Sequence, residues 1–202
     1  MISSFLQALG NYVDAGGWVM PPLMLATVVL WFALGYRFAA LRRGTKRGAR
    51  NLLRRFEQGK LPHHDGVLVD AARKALHLSI TEGDDLRPHL DDAFAETERE
   101  LGKYRVLITS IVLAAPLLGL LGTVIGMIET FDSLGDMSLF SQSGGIAGGI
   151  SQALFTTQMG LAVAIPGLIV SGMLDRRQKD IEMELAQIKD ILTARRAEQT
   201  GI

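Results

Sequence analysis

Apolar residues collect into three long runs, and the polar stretches between them keep a helical period. The runs cover about Trp18 to Tyr36, Val106 to Phe131 and Ile146 to Leu174. A helix needs about 20 apolar residues to cross the hydrocarbon core, so each run predicts a membrane-spanning helix. Pro21 and Pro22 fall in the first turn of the first run, where a missing N–H costs least. Between the first two runs the chain reads as helices over about Thr45–Gln58 and Gly66–Ser79, followed by helix-start residues at Thr81–Asp85. From Pro88 a third helix is expected to continue unbroken into the second span. Its apolar stripe is Leu86, Leu90, Phe94, Leu101 and Tyr104. After the third run nothing breaks the helix before Gly201. There Ile181, Leu185, Ile188 and Leu192 repeat at helical spacing and predict a helix–helix seam. Self-association is the economical reading of that seam, and packing on the Pro88 helix of the same chain is the alternative. Ile2, Phe5, Leu6, Leu9 and Val13 share one face, so residues 1–17 read as an amphipathic segment. It lies on the outer membrane surface or packs on a neighbouring subunit.

Charge turns these elements into a topology. Every Lys and Arg lies between Arg37 and Arg105 or between Arg176 and Arg196. Cytoplasmic loops hold the basic residues of a membrane protein. The expected fold is therefore an all-α membrane protein with three transmembrane helices, N-terminus out and C-terminus in. Its parts are an outer-face segment (1–17), the first span (18–36), a cytoplasmic helical domain (37–105), the second span (106–131), a short outer loop (132–145), the third span (146–174) and a long cytoplasmic helical tail (175–202). The first run lies too deep, and lacks the basic start, for a cleaved secretory signal, so it reads as retained.

Composition excludes several classes of function. The 202 residues carry zero formal net charge, which points to no nucleic-acid partner. The absence of Cys leaves no disulfide framework and no thiolate metal site. His63 and His64 are adjacent and would point apart on a helix or strand. No nucleophile–base pair, phosphate loop or metal spacing is present, so neither an enzyme nor a bound cofactor is expected.

The second and third spans carry polar stripes. Pro116, Gly119, Thr123, Gly126 and Thr130 follow one another at helical spacing. So do Gly145, Gly149, Gln152, Thr156, Gly160, Val163 and Gly167. Small residues let helix backbones approach in lipid, which explains the glycines by packing. Gln152 and the Thr156–Thr157–Gln158 run are better explained by a water-accessible surface facing a partner, because polar groups at membrane depth mark pathways. Pro116 and Pro166 each free a carbonyl from helical bonding. No span has a carboxylate at its centre. Glu129 sits near the outer end of the second and Asp175 at the inner end of the third. Gln152 and the Thr hydroxyls exchange only hydrogen bonds. If ions move here, the titrating group comes from another chain.

Two long motifs carry a resemblance. Ala115-Pro116-Leu117-Leu118-Gly119-Leu120-Leu121-Gly122-Thr123-Val124-Ile125-Gly126-Met127 and the stretch from Gly149 through Gln152, Thr156-Thr157-Gln158 and Gly160 to Pro166-Gly167 resemble the signature spans of the MotA/TolQ/ExbB proton-channel family, nearest to ExbB-like members. The resemblance implies a pentamer in the bacterial inner membrane whose second and third spans line a pore. It implies a single-span ExbD-like partner supplying the proton-accepting Asp, and a TonB-like protein that passes the work to outer-membrane import. On that basis Thr123, Gln152, Thr156, Thr157 and Thr130 are candidate pathway residues, and Pro116, Gly119, Gly126, Gly160 and Pro166 shape the helices. Pore-facing threonines of the family correspond to Thr123 and Thr157. Gln152 departs from the Glu common at that place in the family, and Gln cannot titrate. The same spans would serve a TolQ-like or MotA-like stator or a non-conducting scaffold, although the short cytoplasmic domain argues against the MotA-like role.

Overall fold

A computed structural model describes residues 16–42, 48–57, 66–81, 86–135 and 143–200. Those residues form helices, turns and short connections, with no strand among them. A 3₁₀ turn at Gly17–Val19 leads into α1 (Met20–Ala40). Then follow α2 (Ala49–Glu57), α3 (Val67–Thr81), α4 (Leu86–Gly102), α5 (Arg105–Gly135) and α6 (Ser143–Thr200). The amphipathic segment at residues 2–13, the His63–His64 pair, most of the Thr81–Asp85 turn and the middle of the outer loop lie outside the described residues. Three helices are long and apolar enough to cross a membrane, within Gly17–Ala40, Leu86–Asp132 and Ala147–Glu198.

The expectation that the Pro88 helix runs unbroken into the second span is corrected. α4 ends at Gly102, and Lys103 and Tyr104 turn before α5 begins at Arg105. Tyr104 takes a left-handed φ of 63°, which costs a bulky residue of the order of 1 kcal/mol or more. Aromatic contacts offset that cost. The Tyr104 ring stands edge-on to Tyr36 at a centroid distance of 5.0 Å. The Lys103 ammonium lies 5.3 Å from the Tyr36 ring and 5.5 Å from the Tyr104 ring.

By its contacts the chain divides into two compact units. The first joins Met1–Leu34 to Arg105–Ser171. Its centre is the α5–α6 seam, and Leu23, Leu30, Ile108, Val112, Ala115, Ala153 and Val163 are buried in this unit. Leu30 and Val112 lie against Gly167, where a Cβ would approach them to about 3 Å. Its outer faces remain apolar and exposed, for example at Leu25 and Val28 of α1, Leu113 and Leu117 of α5, and Leu154 and Leu168 of α6. Such faces are a liability in water and ordinary in hydrocarbon.

The second unit joins Gly35–Tyr104 to Gly172–Ile202. Leu52, Leu68, Leu90, Phe94 and Leu101 of its helices are buried together with the C-terminal stripe. That stripe corrects a second expectation. Ile181, Leu185 and Ile188 are fully buried and Leu192 is nearly so within a single chain. The tail is tied to α4 by Lys189, which bonds Asp91 at 2.9 Å and lies over the Phe94 ring. Packing inside the single chain therefore covers the stripe without a second copy.

Candidate functional site

The seam between α5 and α6 is built from residues with almost no side chain. A Cβ on Gly160 would stand 2.7 Å from the Ala115 carbonyl oxygen and 3.2 Å from the Gly119 Cα. A Cβ on Gly119 would meet the Thr156 carbonyl oxygen at 3.0 Å, and one on Gly126 would meet the Gly149 carbonyl oxygen at 2.8 Å. The obstacles are backbone atoms, so glycine is required for the approach. Gly122 belongs to the seam as well, because Thr156 fills the space its Cβ would take. The sequence stripe named Thr123 instead. Both choices keep a three-and-four spacing with Gly119 and Gly126, and periodicity cannot choose between neighbours.

The polar residues of the stripes separate into two groups. Thr156 and Thr130 are buried in the seam. Thr123 and Thr157 are half-buried at its margin. All four hydroxyls face backbone carbonyls. Thr123 donates to Leu120 at 2.6 Å and Thr130 to Gly126 at 2.7 Å. Thr156 donates to Ala153 at 2.9 Å, with the Gly119 carbonyl as a second acceptor at 3.4 Å. Thr157 has the same two carbonyls at 3.3 and 3.4 Å. A carbonyl only accepts, so each hydroxyl proton is committed and each oxygen retains lone pairs. Only Thr123 and Thr157 can present those lone pairs outside the chain. Both belong to the Gly119 region: Thr157 reaches its carbonyl and Thr123 follows it by one helical turn.

Pro116 and Pro166 sit inside α5 and α6. Each removes the bond to the carbonyl four residues earlier, at Val112 and Ala162. Gln152 is half-buried and its amide end packs against Gly17, occupying the space a Cβ there would need. Gly17 also holds a φ of 59°, so two separate features at that turn call for glycine.

Sequence reasoning missed an ionic group at the end of α1, in the second unit. Arg37 was read only as a topology signal. It is fully buried, and its Nη2 donates to Asp175 Oδ1 at 2.8 Å and to Gln178 Oε1. Gln178 in turn donates to Glu182 at 2.7 Å. The Arg37 Nε and Nη1 have no partner among the described residues. A second ionic contact in this unit involves Asp91. Its hydrogen bond and charge pairing with Lys189 hold its pKa below the usual carboxylate range. Among the described residues no cluster of His, Asp and Glu could hold a metal ion.

Three membrane-length helices, two of them joined along a glycine seam, define a multi-pass helical membrane protein. The sequence profile of the MotA/TolQ/ExbB proton channel family matches residues 62–187, and the chain belongs to that family. An ExbB-like protein of Synechocystis sp. is 29% identical over 170 residues, covering 79% of this chain and 81% of its own. The biopolymer transport protein ExbB of Aquifex aeolicus is 37% identical over 86 residues, covering 43% of this chain and 57% of its own. The biopolymer transport protein exbB1 of Vibrio cholerae is 36% identical over 83 residues, covering 39% and 36%.

Proposed function

We propose that this chain is the ExbB-like subunit of a proton-driven inner-membrane motor that energises TonB-dependent import. In this reading several copies, five by resemblance to the family, surround the single span of an ExbD-like partner. The partner supplies the titrating Asp, because the spans of this chain contain no carboxylate at mid-membrane. The observation that carries the reading is the partition of the threonines. Thr123 and Thr157 are pinned acceptors at the margin of a rigid seam. A protonated Asp carboxyl is a donor, and a pinned acceptor prefers it to the ionised form, which only accepts. The site thus favours the neutral acid at one step of the cycle, and the ionised form must find water or a cation elsewhere. The work available per charge is about 2.3 kcal/mol per 100 mV, comparable to a few hydrogen bonds, so an acceptor of modest strength avoids a trap. Thr130 and Thr156 act differently, by holding the seam. Gln152 neither gains nor loses a proton and serves to anchor the Gly17 turn.

Co-expression with an ExbD-like partner and a TonB-like protein tests the proposal. The chain should purify as a multi-copy complex with that partner, and Thr123→Val or Thr157→Val should lower import while the complex still forms. A chain that ignores the partner, or import untouched in both variants, would remove the proposal. Preference for a TolR-like partner over an ExbD-like one would move the chain to the envelope-constriction role.

A further inference from the structure

A cavity of about 350 Å³ opens where α1 ends, within the second unit. Its walls are Tyr36, Ala39 and Ala40 of α1, Val67 of α3, and Thr97, Glu100 and Leu101 of α4. The volume lies in the range of small-ligand sites. The short Ala39 and Ala40 side chains leave the space, and Val67 and Leu101 make part of it apolar. Nothing in the channel function uses it.

Its position and its charges identify an occupant. The first apolar run ends at Tyr36 and basic residues follow from Arg37, so the cavity lies where α1 is expected to leave the bilayer. Tyr36 is an aromatic residue of the kind favoured at the headgroup level. Glu100 brings a carboxylate to the cavity, and among the described residues no ion pair is made with it. Lys103 follows Glu100 by one helical turn, and its amide bonds the Glu100 carbonyl at 3.2 Å. The Lys103 ammonium stands beside the cavity's Tyr36 wall, 5.3 Å from the ring centroid. One acceptor charge and one donor charge thus flank an apolar recess with an aromatic wall at the membrane edge.

We infer that this cavity binds the headgroup of an ammonium-bearing phospholipid, of the phosphatidylethanolamine type. The primary ammonium donates to Glu100 and to the Thr97 hydroxyl, the phosphate meets Lys103, and the glycerol end lies along Ala39, Ala40 and Val67. An anionic headgroup without an amine would place its phosphate near Lys103 but leave Glu100 facing like charge. A trimethylated amine keeps attraction to the Tyr36 ring but has no N–H to donate. A cationic N–H donor distinguishes the first lipid from both others.

Native mass spectrometry of the full-length chain in mild detergent, equilibrated with equal amounts of phosphatidylethanolamine, phosphatidylcholine and phosphatidylglycerol, tests the inference. Phosphatidylethanolamine should be retained about tenfold over phosphatidylcholine, the ratio expected of one charge-assisted hydrogen bond partly screened by water. Glu100→Gln should lower that preference to about threefold, since the amide oxygen still accepts the N–H but without the charge that roughly doubles the bond. Ala40→Phe should reduce retention by filling the cavity. Equal retention of the ethanolamine and choline lipids, dominance of the glycerol lipid, or a preference left undiminished by Glu100→Gln would each overturn the assignment. Glu100 is exposed and Gln is nearly isosteric, so this variant tests the site even if Ala40→Phe fails to fold.

Discussion

Gly160→Ala probes the seam on which the channel reading depends. The added methyl would stand 2.7 Å from the Ala115 carbonyl oxygen, where an ordinary contact begins at 3.4 Å. Recovering about 0.7 Å means separating α5 from α6, because the obstacle is backbone and cannot rotate away. Overpacking of this kind costs about 1–3 kcal/mol. Replacing a helical glycine by alanine returns up to about 1 kcal/mol of propensity. The net expectation is a loss of about 1–2 kcal/mol. Gly172 provides the matched control. It lies in the same helix, and a Cβ there meets nothing within 4 Å, so Gly172→Ala keeps only the favourable part. Reversible unfolding in mixed detergent micelles, followed by circular dichroism, gives both values. Opposite signs for the two variants support the close approach. If Gly160→Ala stabilises the protein as Gly172→Ala does, the helices do not meet at that point and the threonine geometry built on it is wrong.

Three further outcomes follow from the same contacts. Asp175→Asn strands the buried Arg37 charge; a fully buried pair would lose about 3–5 kcal/mol, and with Asp175 at 29% exposure about 2–3 kcal/mol is expected from denaturant unfolding, largely restored by Arg37→Met with Asp175→Leu. Gly17→Ala should cost about 1–2 kcal/mol through its positive φ, with an additional steric part that disappears when Gln152 is also replaced by Ala, a non-additivity measured by a double-mutant cycle. The pairing of Asp91 with Lys189 lowers the Asp91 pKa in the folded state, so its stabilisation is complete above the ordinary carboxylate pKa of about 4 and is lost as pH falls through the lowered folded value. Acid titration of stability should therefore show a component that Asp91→Asn removes.

The spans were legible because apolar runs of this length have one inexpensive environment, and the small-residue stripes were legible because helical spacing places them on one face. What periodicity could not supply was the centre of that face. Thr156 lies at the middle of the seam and Thr157 at its edge, yet they are neighbours in sequence. Gly122 and Thr123 pose the same problem on α5. The Tyr104 turn left only Gly102 as a signal, a residue that ends helices often but is common inside membrane spans. Arg37 looked like any juxtamembrane cation. Its burial depends on Asp175 and Gln178, more than 130 positions later, and no local rule connects them. The C-terminal stripe was legible as a helix–helix seam, but spacing shows a stripe and not its cover, so a second copy was preferred to the apolar stripe of α4.

Proton flux into vesicles containing the chain and the proposed Asp-bearing partner is the most direct measurement of the central claim. Thr157→Ser keeps the pinned acceptor and should conduct nearly as the parent does. Thr157→Val removes it and should lower flux by about tenfold or more, the value of one hydrogen bond of about 1.4 kcal/mol, with the complex intact. Equal flux in the Ser and Val variants would contradict the account.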